Sequence, residues 1–152
     1  MNLVKIALLG TFVLPATAIA AMAAGANPAF KLRHDNFEAM GKATKATFDQ
    51  LKRPAPDLGV LRANADRLAA SAAKVKGYFP KGTGPEAGVK TEALPAIWQR
   101  PADFSAAADR LVGATKGLQG AVATGDMARI GQAAGAVGAA CKGCHDSFRK
   151  PH

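Results

Sequence analysis

The sequence predicts an all-α protein, an antiparallel up-down four-helix bundle, on three observations. Alanine dominates while β-branched residues are few and aromatics make up 6% of the chain, a balance that favours helix over strand. Apolar residues recur three and four apart in four separate stretches, the period of a helix with one buried face. Proline, glycine and aspartate stand at the ends of those stretches, where they start, cap or stop helices.

Residues 1–23 read as a cleaved secretory signal peptide. Lys5 supplies the positive start and Ile6 to Leu14 the apolar centre, and Ala18-Ile19-Ala20 and Ala21-Met22-Ala23 are small-x-small cleavage sites. Gly10 and Pro15 interrupt the stretch, which argues for removal rather than a retained anchor. No other segment is apolar enough to span a membrane, so residues 24–152 form one exported domain, placed in the periplasm. Removing Lys5 lowers the formal net charge from +9 to about +8. Basic residues are not interleaved with aromatics, which argues against nucleic acid as partner. The charge is either a solvated surface or a means of docking an acidic redox protein or an anionic membrane face.

The first helix opens at Asn27-Pro28, a cap followed by proline at the first helical position. Phe30, Phe37, Met40, Phe48 and Leu51 fall on one stripe before Pro54 and Pro56 end it. Asp57 caps the second helix, whose buried seam runs Leu58, Leu61, Ala65, Leu68, Ala72, Val75 and Phe79. The third follows Pro101 and Asp103, carries Phe104, Leu111, Leu118 and Val122, and stops at Gly125. Asp126 caps the fourth, with Ile130, Ala134, Val137, Cys141, Cys144 and Phe148 on its inner stripe. Between the second and third runs a crossover from Pro80 to Pro101, anchored by Trp98. Six glycines (Gly113, Gly117, Gly120, Gly131, Gly135, Gly138) interrupt the last two helices. Each costs roughly 1 kcal/mol of helix propensity. Gly131, Gly135 and Gly138, on the flank that carries His145 and Arg149, are expected to admit close approach of a neighbouring helix, and the chain without its cofactor is expected to fold poorly.

Both cysteines lie in "CKGCH", Cys141 to His145. A disulfide between them would close too small a loop to stabilise much. A thioredoxin-type pair belongs in an α/β fold, and a structural zinc site wants four ligands. The spacing C-x-x-C-H points instead to covalent attachment of a c-type haem, with the thiols adding across the haem vinyl groups and His145 as axial ligand. A redox or disulfide pair and a zinc site stand as alternatives. At about 100° per residue His145 lies about 40° round from Cys141, and Arg149 about 40° beyond that, so the haem enters the bundle interior and the last helix holds it. Export supports this, because haem is attached to apocytochrome c outside the bacterial cytoplasm.

Three stretches, "LRHDNFEAMG", "ALPAIW" and "CKGCHDSFRK", together resemble the cytochrome c′ family of exported haem-binding four-helix bundles. The resemblance implies one covalent haem c per chain, thioethers at Cys141 and Cys144, and His145 as the iron ligand. It places Arg149 beside the proximal haem face, Arg33, His34, Thr91 and Glu92 on the propionate side, and Phe37 and Phe79 in the distal pocket. His34, next to charged Arg33, is expected at the solvent edge, and His152 at a frayed terminus. Met40 is the only methionine of the first helix and belongs to its packing stripe, so the sixth iron position is expected to be open. The implied function is a five-coordinate, high-spin, non-enzymatic cytochrome that binds nitric oxide or carbon monoxide, transfers single electrons, or does both, as a homodimer. The alternative is a six-coordinate low-spin electron carrier on the same fold.

Overall fold

The structure, a computed structural model, describes residues 28–151. The expected leader, its cleavage sites, the Asn27 cap and His152 lie outside the described residues. Four long helices form the bundle: α1 (Pro28–Leu51), α2 (Leu58–Ala72), α4 (Pro101–Thr124) and α5 (Met127–Phe148). A short α3 (Ala96–Gln99) belongs to the crossover. Local chemistry sets their ends. Asp57 Oδ1 accepts from Gly59 N (2.8 Å) and Val60 N (3.2 Å), and Asp126 Oδ1 from Ala128 N (2.9 Å) and Arg129 N (3.1 Å), which satisfies otherwise unpaired first-turn donors. Proline opens α4, and Gly125 at φ +71° closes it in a left-handed C-cap that a side chain would strain.

The α1–α2 and α4–α5 hairpins bury one core, in which Leu61, Leu68, Leu118 and Ile130 are almost wholly excluded from solvent. Two contacts fix the register of α4, Gln119 Nε2 to Asp66 of α2 (2.7 Å) and Asp109 to Lys76 Nζ, just beyond the end of α2 (2.7 Å).

Two expectations are corrected. The seam of the second helix does not run as one helix to Phe79. Helix α2 ends at Ala72, and a 3₁₀ turn (Val75–Tyr78) carries the chain on. Gly77 and Pro80 weaken helix there, yet Val75 stays buried, so the apolar pattern survives the change of winding. The glycines of α4 and α5 also do not mark close backbone approach. A Cβ at Gly113, Gly117, Gly120, Gly131 or Gly135 would meet nothing within 4 Å, and one at Gly138 would only touch Phe48 Cζ at 3.7 Å. The first five are exposed, so their propensity cost is not repaid by packing. Gly117→Ala and Gly135→Ala should therefore each stabilise the protein by about 0.5–1 kcal/mol, read as a raised thermal midpoint. A lowered midpoint would reveal a contact at those faces.

The crossover folds back on itself and on α5. Trp98 Nε1 donates to Pro80 O (3.0 Å), so the tryptophan pins the two ends of the segment together as expected. Leu94 N donates to Phe148 O (3.0 Å) and Lys150 N to Glu92 O (2.8 Å), an antiparallel bridge that straps the segment to the end of α5.

Candidate functional site

The last two turns of α5 carry Cys141, Cys144 and His145 on the side that continues the buried stripe of Ile130, Ala134 and Val137. Both thiols are free, half-buried and packed against the core. Burial pushes both thiol pKa values up; Cys141 adds to the rise at Cys144, where Arg110 of α4 opposes it. Burial thus works against the thiolate on which a thiol-disulfide enzyme depends. Among the described residues no strand is present, and no group of three or more His, Cys, Asp or Glu is placed to hold a metal ion. The redox-pair and zinc alternatives both lose their structural context.

A chain of aromatic contacts runs from α1 to the end of α5. Phe37 of α1 meets Phe79 edge-on at 6.1 Å, Phe79 meets Phe104 of α4 at 4.8 Å, and Phe104 meets Phe148 of α5 at 5.4 Å. Such edge-to-face pairs add to simple burial. Phe37 is half-buried and its neighbour is Phe79, whereas Leu58, at the opposite end of α2, is exposed. Met40 is buried, and its Sδ accepts from Asn36 Nδ2 at 3.5 Å.

Arg33 is 7% exposed and lies between the rings of Phe30 (4.9 Å) and Phe79 (4.8 Å). Its guanidinium donates to Thr83 O (3.1 Å) and Thr91 Oγ1 (3.3 Å), and burial lowers its pKa from the ordinary value. It has no carboxylate partner among the described residues. A buried cation without a counter-ion is costly, and a haem propionate is an anion that would supply one. Two inward thiols next to an imidazole, an aromatic wall and an unneutralised guanidinium suit a covalently attached haem.

The remaining sequence-predicted residues divide. Thr91 joins Arg33 through its hydroxyl, which also accepts from Ala93 N (3.2 Å). His34 points outward, its side chain 77% exposed and 4.0 Å from Glu38 Oε2, apart from the Arg33 cluster. Glu92 and Arg149, expected on different sides of the haem, are paired with each other: Arg149 Nε and Nη2 both lie 2.7 Å from Glu92 Oε2. Three residues escaped the sequence reading. Phe30 was assigned only to packing, Arg110 was not linked to the thiols, and Thr83, 1% exposed, holds Arg33 through its carbonyl and Pro80 O through its hydroxyl at 2.7 Å. The α4–α5 hairpin register would have found Arg110. Nothing periodic marks Thr83, which sits in an irregular loop.

A family model described as Cytochrome C′ matches residues 28–149. The chain is 35% identical over 119 residues to cytochrome c′ of Pararhodospirillum photometricum, covering 78% of this chain and 93% of that one. It is 49% identical over 69 residues to cytochrome c′ of Rubrivivax gelatinosus, covering 45% of this chain and 54% of that one, so this stronger match spans about half of that relative. The solved structure of cytochrome c′ from Rubrivivax gelatinosus superposes with a TM-score of 0.73 at 35% identity, covering 80% of this chain and 94% of that one. A nitric oxide complex of a variant cytochrome c′ from Alcaligenes xylosoxidans superposes with a TM-score of 0.74 at 29% identity, covering 82% and 95%.

Proposed function

The chain belongs to the cytochrome c′ family and carries one covalently attached haem c, and we propose that it is a periplasmic, five-coordinate, high-spin cytochrome that binds nitric oxide and carbon monoxide and passes single electrons. When bound, the haem supplies an iron that takes a diatomic gas at an open position and exchanges one electron. Cys141 and Cys144 would form the thioethers and His145 would hold the iron from α5. Arg33, steered by Thr83 and Thr91, would neutralise a propionate.

The observation that carries this reading is the edge-on pair of Phe37 and Phe79 at 6.1 Å, the two rings that would form the wall opposite His145. The two side chains of α1 able to serve as a sixth ligand are both engaged elsewhere: Met40 is buried with its sulfur bonded to Asn36, and His34 stands in solvent beside Glu38. Phe37 and Phe79 offer the iron nothing to bind. The nitric oxide complex of the Alcaligenes relative supports gas binding by the same fold. Export rests on residues 1–23, and no helix among the described residues is long and apolar enough to cross a membrane. Leu32, Leu58 and Val60 are the large apolar side chains most exposed among the described residues, all on α1 and α2, which supports a homodimer through those helices. The family's gas-binding and electron-carrying roles favour a carrier over an enzyme.

Two steps on the purified protein test the proposal. Acidified acetone should leave the colour with the polypeptide, and carbon monoxide added to the reduced protein should shift the Soret band with one gas per haem. Haem extracted into acetone removes the thioethers, and a reduced spectrum indifferent to carbon monoxide removes the open position.

A further inference from the structure

The crossover is pinned at its base and latched in its middle. Trp98 Nε1 on Pro80 O (3.0 Å) closes the base. Between them, residues 89–94 meet the end of α5 through an isolated antiparallel bridge of Ala93 with Arg149. The bridge has two backbone bonds, Leu94 N to Phe148 O (3.0 Å) and Lys150 N to Glu92 O (2.8 Å). Beside it the Arg149 guanidinium grips the crossover, with Nε and Nη2 both 2.7 Å from Glu92 Oε2.

Each part of this junction is built to open. A single bridge lacks the neighbouring ladder that makes a sheet cooperative, so it opens locally more readily than the helices it joins. The ion pair is open to solvent, its carboxylate 54% and its guanidinium 35% exposed, so it is weak and screened by salt. Gly88, at φ +71°, gives the segment a joint that a side chain would strain. The segment is latched to the turn of α5 that starts at His145. Arg149 N donates to His145 O (3.0 Å), so the residue that Glu92 grips is the one that closes that turn.

We propose that residues 89–94 form a flap, latched by Glu92 on Arg149, whose opening admits small ligands to the His145 side of the haem. This rests on the haem reading above, since the iron is what such a ligand would reach. Opening breaks two backbone bonds and the ion pair, so the open form is the minor one. Entry from this side is slowed in proportion to the fraction open.

Hydrogen exchange on the haem-loaded protein reads the flap, and imidazole uptake reads the access. Glu92→Gln keeps the shape of the side chain and removes its charge. It should speed exchange of the Leu94 and Lys150 amides by about threefold, the size of effect expected of an exposed pair. Trp98 Nε1–H, at the pinned base, should be unchanged. Raising salt from about 0.02 M to about 0.5 M should speed the same two amides in the wild type and not in the variant. In His145→Ala, whose vacated ligand position takes added imidazole, Glu92→Gln should raise the imidazole association rate by the same factor. Carbon monoxide association, on the Phe37 side, should not change. Unaltered exchange at Leu94 and Lys150 overturns the latch. Equal acceleration at Trp98 overturns the flap, because Glu92 would then only stabilise the whole crossover. Faster exchange with unaltered imidazole uptake overturns the access. A protein without covalently held haem overturns the haem reading and the access with it, and the exchange rates still decide the flap.

Discussion

Replacing His145 with alanine is expected to abolish the normal visible spectrum while the haem stays bound to the polypeptide through Cys141 and Cys144. The imidazole directly follows the second thiol on α5, so on the proposed reading its removal takes away the axial ligand without touching the attachment. Among the described residues the one other imidazole, His34, stands on α1 with its side chain 77% exposed beside Glu38. Added imidazole should restore a spectrum close to the original, because the substitution leaves a ligand-sized space next to the iron. Spectra of the variant with and without imidazole, recorded after a denaturing gel stained for covalent haem, check this. A variant with the wild-type spectrum would assign the iron to another residue.

Phe37→Ala should speed carbon monoxide association with the reduced protein by at least an order of magnitude. A phenyl ring over the open position must be displaced before a ligand enters, and it offers no hydrogen bond to bound dioxygen. Both effects favour small, strongly bonding nitric oxide over carbon monoxide and dioxygen. Phe37 is half-buried, packs against the core and meets Phe79 at 6.1 Å, which leaves part of its ring free to line a pocket. If Phe37 were only core, the substitution would cost roughly 3–5 kcal/mol and leave the association rate alone. Stopped-flow mixing of wild type and variant with carbon monoxide decides, and equal rates would remove Phe37 from the site.

The sequence carried the bundle because its helix ends are local. Asp57, Pro101, Gly125 and Asp126 each act within a turn, and the structure finds each at a helix boundary. The thiols and His145 were legible for the same reason, since one helical turn fixes them. What the sequence did not carry is long-range. Arginine is ordinarily a surface residue, and Arg33 is buried because Thr83, fifty residues away in a loop, offers a carbonyl to it. Glu92 and Arg149 are fifty-seven residues apart, and only the folding of the crossover onto the end of α5 brings them to 2.7 Å. The glycines differ in another way: their spacing resembles a packing face, yet of the six only Gly138 has a neighbour within reach of a Cβ, Phe48 at 3.7 Å. Periodicity identifies a shared face and says nothing about what covers it.

The open sixth position is tested most directly by the spin state of the ferric iron in the purified protein at neutral pH, read from the visible and electron paramagnetic resonance spectra together. If Phe37 and Phe79 form the distal wall as proposed, with Met40 and His34 engaged elsewhere, the iron is high-spin and five-coordinate. A low-spin, six-coordinate spectrum would contradict it and put a protein ligand where the phenyl rings are placed.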